Sequence, residues 1–140
     1  MVDASVVLKW FLPEAGNVAA DRLLEGFLNG RLTLHAPDLM PIETASALWR
    51  RSVVRKQLAP SDAKAIYQDL LTLPLNLYTS EPLASAAFAL SIAHRHSAYD
   101  AVYCALAIEL DCELVTADET LVAKLGKALT FIQHLSRIEV

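Results

Sequence analysis

Cysteine is nearly absent. Cys104 and Cys112 are the only two in 140 residues, too few and too unpatterned for a disulfide framework or a zinc site. Both stand in an apolar run, AVYCALAIELDCEL, and read as reduced core thiols of a cytoplasmic protein. No apolar stretch approaches the roughly 18 residues that a membrane span requires, and no charged signal-peptide head opens the chain, so no membrane association is expected. Charge is also scarce: charged residues are 20% of the total and the net charge is −4. That argues against nucleic-acid binding by bulk electrostatics. It leaves open a protein that holds phosphates through bound cations, which a sequence charge count omits. There is no G-x-x-x-x-G-K-[ST], which removes a P-loop. Repeats, low-complexity tracts and interdomain linkers are missing too. With hydrophobic residues at 54%, residues 1–140 are expected to form one domain that buries roughly two-thirds of its unfolded surface.

What is present is an alternation of short apolar strands with longer helical stretches. Met1 to Asp3 is a stub of strand, and ASVVLKWFL reads as a helical turn or two. Glu14 to Asn29 repeats at helical spacing and stops at Gly30; LTLHA at 32–36 is a second strand, bounded by Pro37. Leu39 to Gln57 is predicted as one long helix with Ile42, Ala45, Trp49 and Val53 on a stripe, and Pro60 opens another to about Leu73. Leu75 to Tyr78 is a third strand, Ser80-Glu81-Pro82 begins a helix to about Ala93, and Ser97 to Leu110 is a helix. Glu113 to Thr116 is a fourth strand, Asp118 to Leu125 a short helix, and Leu129 to Ile132 a weak last strand.

This alternation predicts an α/β fold with a parallel sheet, because parallel neighbours need right-handed crossovers. Functional groups in such sheets gather beyond the carboxyl ends of the strands. Four acidic residues meet that condition. Asp3 ends the first strand, Asp118 follows the fourth, Asp100 stands in the first turn of the helix leading into the fourth, and Glu43 lies early in the long helix. Unit charges at contact distance repel by about 4 kcal/mol at an effective dielectric near 20. Four carboxylates in one cleft therefore need protons or cations, and Mg²⁺ or Mn²⁺ suits an all-oxygen donor set.

Each residue also has a plainer reading. Asp3 can be a helix N-cap, Ser97-x-x-Asp100 and Thr116-x-x-Glu119 match capping boxes, Asp118 suits a helix dipole, and Glu43 can be a solvated helix residue. Spacing alone leaves both sets of readings open. SAYDAVYCALA puts Asp100, Tyr103, Cys104 and Ala107 on one helical face, and LVTAD ends a strand with a hydroxyl and a carboxylate two residues apart.

VDASVVLKWFLPE, PIETASALWR, SAYDAVYCALA and LVTADETL, in this order and spanning most of the chain, resemble the PIN-domain ribonucleases, especially VapC toxins of prokaryotic toxin–antitoxin pairs. The resemblance implies a PIN-like three-layer fold with a five-stranded parallel sheet, order 3-2-1-4-5, and helices on both faces. It implies RNA cleavage dependent on Mg²⁺ or Mn²⁺, a homodimer, and a cognate antitoxin. Position by position, Asp3, Glu43, Asp100 and Asp118 match the acidic quartet, and Ser5 and Thr116 the accessory hydroxyls. This chain departs from the pattern in its first strand, where only two residues precede Asp3 against about five in an ordinary strand.

On that basis Asp3 and Asp100 are the expected principal ligands, with Asp118 completing the site and Glu43 orienting or deprotonating water or holding a second ion. Lys9, Arg50, Arg51, Arg55, Lys56 and His94-Arg95-His96 are candidates for steering an RNA backbone; each reads equally as solvated surface. His94 and His96 resemble a metal pair but lack a third nitrogen or sulfur ligand at suitable spacing. The aliphatic faces between residues 5 and 29 are candidates for an antitoxin peptide. A phosphoacceptor receiver would need an acidic pair at the first strand and an aspartate after the third, where Leu77-Tyr78-Thr79 stands instead. An aspartyl phosphatase would need Asp-x-Asp, and Asp3 is followed by Ala4-Ser5. The alternative from another class is a degenerate PIN domain acting as a binding module.

Overall fold

The computed structural model describes residues 1–12 and 17–138. In chain order the elements are α1 (Ala4–Lys9), α2 (Asn17–Leu28), β1 (His35–Pro37), α3 (Met40–Trp49), α4 (Pro60–Leu71) and β2 (Asn76–Tyr78), then α5 (Ala84–His94), α6 (Ala98–Glu109), β3 (Leu114–Thr116), α7 (Glu119–Leu125) and β4 (Ile132–His134). A π-helical turn, Arg50–Val54, extends α3, and 3₁₀ turns occupy Glu81–Leu83 and Leu135–Arg137.

The strands are short and parallel. β1 pairs with β2, and β3 with β4, each over three residues. The five-stranded sheet expected from the resemblance is thus present as two two-stranded pieces. Met1–Asp3 bonds to both: Val2 N donates to His35 O at 3.1 Å, Val115 N to Met1 O at 2.9 Å, and Asp3 N to Val115 O at 3.3 Å. Val2 therefore forms a bridge to Val115 rather than a strand. The physical reason is local: Asp3 caps α1 by accepting from Val6 N, which turns the backbone into a helix before a longer ladder can form.

Boundaries moved from the sequence expectation in a consistent way. The second strand lies at His35–Pro37 instead of 32–36 and includes Pro37, whose missing N–H is tolerated at a strand end. The last strand lies at Ile132–His134 instead of Leu129–Ile132, because turn bonds from Leu129 N to Leu125 O and from Ile132 N to Leu129 O occupy the preceding residues. The long helix expected to Gln57 is α-helical only to Trp49. Residues 14–16 of the helix expected from Glu14 lie outside the described residues.

The centre of the core is α6, in which every residue from Ala101 to Ala107 is buried. A helix apolar on all sides needs neighbours on all sides, and α6 packs on α5, β1 and β3. Its small residues Ala101, Ala105 and Ala107 let those neighbours approach closely. Val2, Val6, Val7, Ala36, Met40 and Leu114 complete the buried cluster. Cys104 belongs to it, its thiol pushed up to about 11 by burial and by the charge of Asp100; both cysteines are free thiols. Among the described residues no helix is long and apolar enough to cross a membrane.

Candidate active site

Asp3 is fixed by its own sequence neighbourhood. Ser5 Oγ donates to its Oδ1 at 2.6 Å and Val6 N to the same oxygen at 3.1 Å. Thr116 Oγ1, at the end of β3, donates to Oδ2 at 2.5 Å. The two hydroxyls are fully used, since Ser5 Oγ also accepts from Ala117 N at 2.8 Å and Thr116 Oγ1 from Asp118 N at 3.0 Å. This lattice ties the start of α1 to the turn between β3 and α7. Burial raises the Asp3 pKa, and the hydrogen bonds from Ser5, Thr116 and the Val6 and Ser5 backbones oppose that rise.

Asp118 is the N-cap of α7, its Oδ1 accepting from Thr120 N at 2.7 Å and Leu121 N at 3.2 Å. The capping box read from Thr116 and Glu119 is therefore not the device used; Thr116 serves Asp3 and Asp118 instead. Ser97 caps α6 through Tyr99 N, which leaves Asp100 in the first turn for other contacts. His96 Nε2 lies 2.9 Å from Asp100 Oδ2. Burial raises the Asp100 pKa; the nearby His96 opposes this and the Asp118 charge reinforces it. Glu43, in the first turn of α3, is raised by burial, lowered by its bond from Tyr103, and raised again by Asp100 and Asp3. Tyr103 OH donates to Glu43 Oε2 at 2.5 Å, and burial and that carboxylate push the phenol well above its usual range.

Four carboxylates from four separate segments thus face one open cleft of about 620 Å³, lined by Asp3, Ser5, Glu43, Asp100, Asp118 and Arg50 among others. Thr116, buried beneath it, does not line it. Their charges act on one another across the cleft: Asp3 and Asp100 raise the Glu43 pKa, and Asp118 raises that of Asp100. Among the described residues no three His, Cys, Asp or Glu groups are gathered tightly enough to form a ready metal cage. No such group contains His94 or His96, and His96 Nε2 contacts Asp100.

Similarities to known proteins extend over most of the chain. A model of the PIN domain matches residues 1–127. The chain belongs to the PIN domain family. Curated relatives of this PIN domain include Ribonuclease VapC3 of Pyrobaculum aerophilum, 30% identical over 133 residues, or 93% of this chain and 97% of the relative. Ribonuclease VapC1 of Mycobacterium tuberculosis is 33% identical over 126 residues, or 90% of each chain. A crystal structure of a Pyrobaculum aerophilum protein superposes with a TM-score of 0.70 at 21% identity, covering 96% of this chain and 87% of that one; this likeness speaks for the fold alone.

Of the candidate basic residues, Arg50 lines the PIN-domain cleft. Lys9 lines a separate cavity with Arg22 and His134, and Lys56 a third with Gln57. Tyr103 is the contributor that the sequence understated. Its place on the Asp100 face was legible, but its bond to Glu43 crosses from α6 to α3, and no spacing rule reports that.

Proposed function

We propose that this chain is a metal-dependent endoribonuclease of the VapC type, the toxin of a toxin–antitoxin pair. The observation that carries the reading is the meeting of Asp3, Glu43, Asp100 and Asp118 at one cleft, in a chain whose curated relatives are named ribonucleases along nearly their full length.

The donor set fits a hard divalent cation. It is all oxygen, and it is self-repelling enough that Glu43 and Asp100 are both raised in part by neighbouring carboxylates. A tight protein cage is unnecessary, because Mg²⁺ keeps several waters and is commonly held by one or two carboxylates and the substrate phosphate. Asp3 and Asp100 would hold the ion, Mg²⁺ or Mn²⁺, with Asp118 completing the site. When bound, such an ion supplies Lewis acidity toward a phosphate oxygen and a water acidic enough to attack near neutral pH. The chain's own residues do the positioning. Ser5 and Thr116 hold the Asp3 carboxylate in one orientation. Asp118 caps α7 through Oδ1 alone. Glu43, its carboxylate made more basic by burial and aimed by Tyr103, orients or deprotonates the attacking water.

The same reading takes residues 1–140 as a single domain and the strand pieces as one sheet in the order 3-2-1-4-5, flanked by helices in three layers. The bonds of Met1–Asp3 toward β1 and β3 support that order. A cytoplasmic homodimer neutralised by an antitoxin completes the proposal, and the family's pairing with antitoxins supports the last part. The test is cleavage of RNA by the purified protein in Mg²⁺ or Mn²⁺ and its loss in EDTA. Cleavage unaffected by chelation would overturn the metal dependence. RNA binding without cleavage under every divalent ion would favour a binding module.

A further inference from the structure

We infer that Arg50 is the anchor for an RNA phosphate flanking the scissile one, so that the cleft reads at least two phosphates of its substrate. The inference rests on the ribonuclease reading and extends it to how the strand is held. Glu43, Ser46, Ala47 and Arg50 all line the cleft, and their i, i+3, i+4, i+7 spacing makes them one stripe of α3. Among the described residues Arg50 is the one arginine or lysine that lines the cleft. Among the described residues it makes no ion pair, although four carboxylates line the same cleft. Its backbone sits seven residues from Glu43, about 10 Å along the helix axis at 1.5 Å per residue, and no ion pair joins the two side chains. Glu43 meanwhile takes its hydrogen bond from Tyr103.

A permanently charged guanidinium kept off four carboxylates is placed for an external anion. Its forked donors match two phosphate oxygens. The substrate supplies such an anion one step along the backbone from the bond being cut. The position is also well anchored: Arg50 N donates to Ala47 O and Ser46 O, and Arg50 O accepts from Arg55 N at 2.9 Å where α3 passes into its π-helical turn. π-helical turns recur at functional sites. Of the basic run Arg50, Arg51, Arg55 and Lys56, only Arg50 lines the cleft.

Steady-state cleavage of a labelled single-stranded RNA in Mg²⁺, by wild type, Arg50→Ala and Arg50→Lys, tests this. Arg50→Ala is expected to raise KM about tenfold with little change in kcat. Its plot of log(1/KM) against log[salt] should be shallower by about 0.7, the loss of one contact to a single-stranded phosphate. Arg50→Lys should restore the slope, since it keeps the charge, while recovering only part of the affinity. On an RNA whose flanking phosphates are replaced by neutral methylphosphonates, the KM values of wild type and Arg50→Ala should converge. A penalty that persists on the methylphosphonate RNA, a fall in kcat in place of the KM effect, or an unchanged salt slope would each overturn the assignment while wild type remains active. A wild-type protein that cuts no RNA would overturn the ribonuclease reading and this inference with it.

Discussion

Thr116→Val is the most searching perturbation of the site, because it removes one hydroxyl and keeps a buried β-branched shape. Thr116 is fully buried. Its Oγ1 donates to Asp3 Oδ2 at 2.5 Å and accepts from Asp118 N at 3.0 Å. Valine leaves a carboxylate short of one donor and a backbone N–H without its acceptor. A buried polar group left unpaired costs about 1–3 kcal/mol, more when charged. Water in the open cleft can replace part of what is lost, so the lower end applies, about 2 kcal/mol in total. For a chain of this length that lowers Tm by roughly 6 °C. The hydrogen bond favours ionised Asp3, so the deficit is largest at neutral pH and shrinks as Asp3 takes up a proton. Thermal unfolding followed by circular dichroism, with a double-mutant cycle against Asp3→Ala, should return a coupling of about 1 kcal/mol. The reasoning fails if Thr116→Val melts within about a degree of wild type. It fails equally if the deficit is undiminished in the Asp3→Ala background.

Three further outcomes are expected. Asp100→Asn should abolish RNA cleavage in a gel assay and leave Tm unchanged or higher at neutral pH, since it removes a charge that burial and Asp118 disfavour; an active variant would remove Asp100 from the proposed ligands. Tyr103→Phe removes the donor that lowers the Glu43 pKa. The acid limb of the pH–rate profile should therefore move to higher pH, and stability should fall by about 1 kcal/mol; an unmoved limb would mean that Glu43 does not set it. The folded pKa values of Glu43 and Asp100 are raised above their ordinary values. The folded protein thus binds more protons than the unfolded one between the ordinary carboxylate range and those raised values, and these two groups destabilise it as pH rises through that window. Mg²⁺ at ten times its Kd should add roughly 1.4 kcal/mol near neutral pH, a Tm gain that shrinks on acidification; a gain independent of pH would place the ion elsewhere.

Much of the site was legible because its residues obey local rules. Asp3 and Asp118 are N-caps, as helix-start aspartates ordinarily are, and they line the cleft as well, so the capping and site readings are compatible rather than rival. Ser5 and Thr116 both donate to the Asp3 carboxylate, a contact that their spacing along the chain does not report. Less legible were the strand limits. Three-residue strands carry too little alternation to fix their ends, and the apolar run at Leu129–Ile132 matched a turn as well as a strand. The π-helical turn after Trp49 also escaped, because the helical stripe of Ile42, Ala45, Trp49 and Val53 continues across it while the backbone hydrogen bonds change.

Composition and order of elements by themselves indicated an α/β chain with an acidic, cysteine-poor character and four carboxylates for which the capping and site readings both stayed open. Those features depend on local backbone preference and on the period of hydrophobic residues, which sequence records directly. Only the tertiary structure decided which polar atoms meet: Tyr103 with Glu43 across 60 residues, Thr116 with Asp3 across 113, and Arg50 alone of its basic run at the cleft. Such pairings are set by the packing of α6 against its neighbours and by the few hydrogen bonds of Met1–Asp3. Neither leaves a period or a motif along the chain.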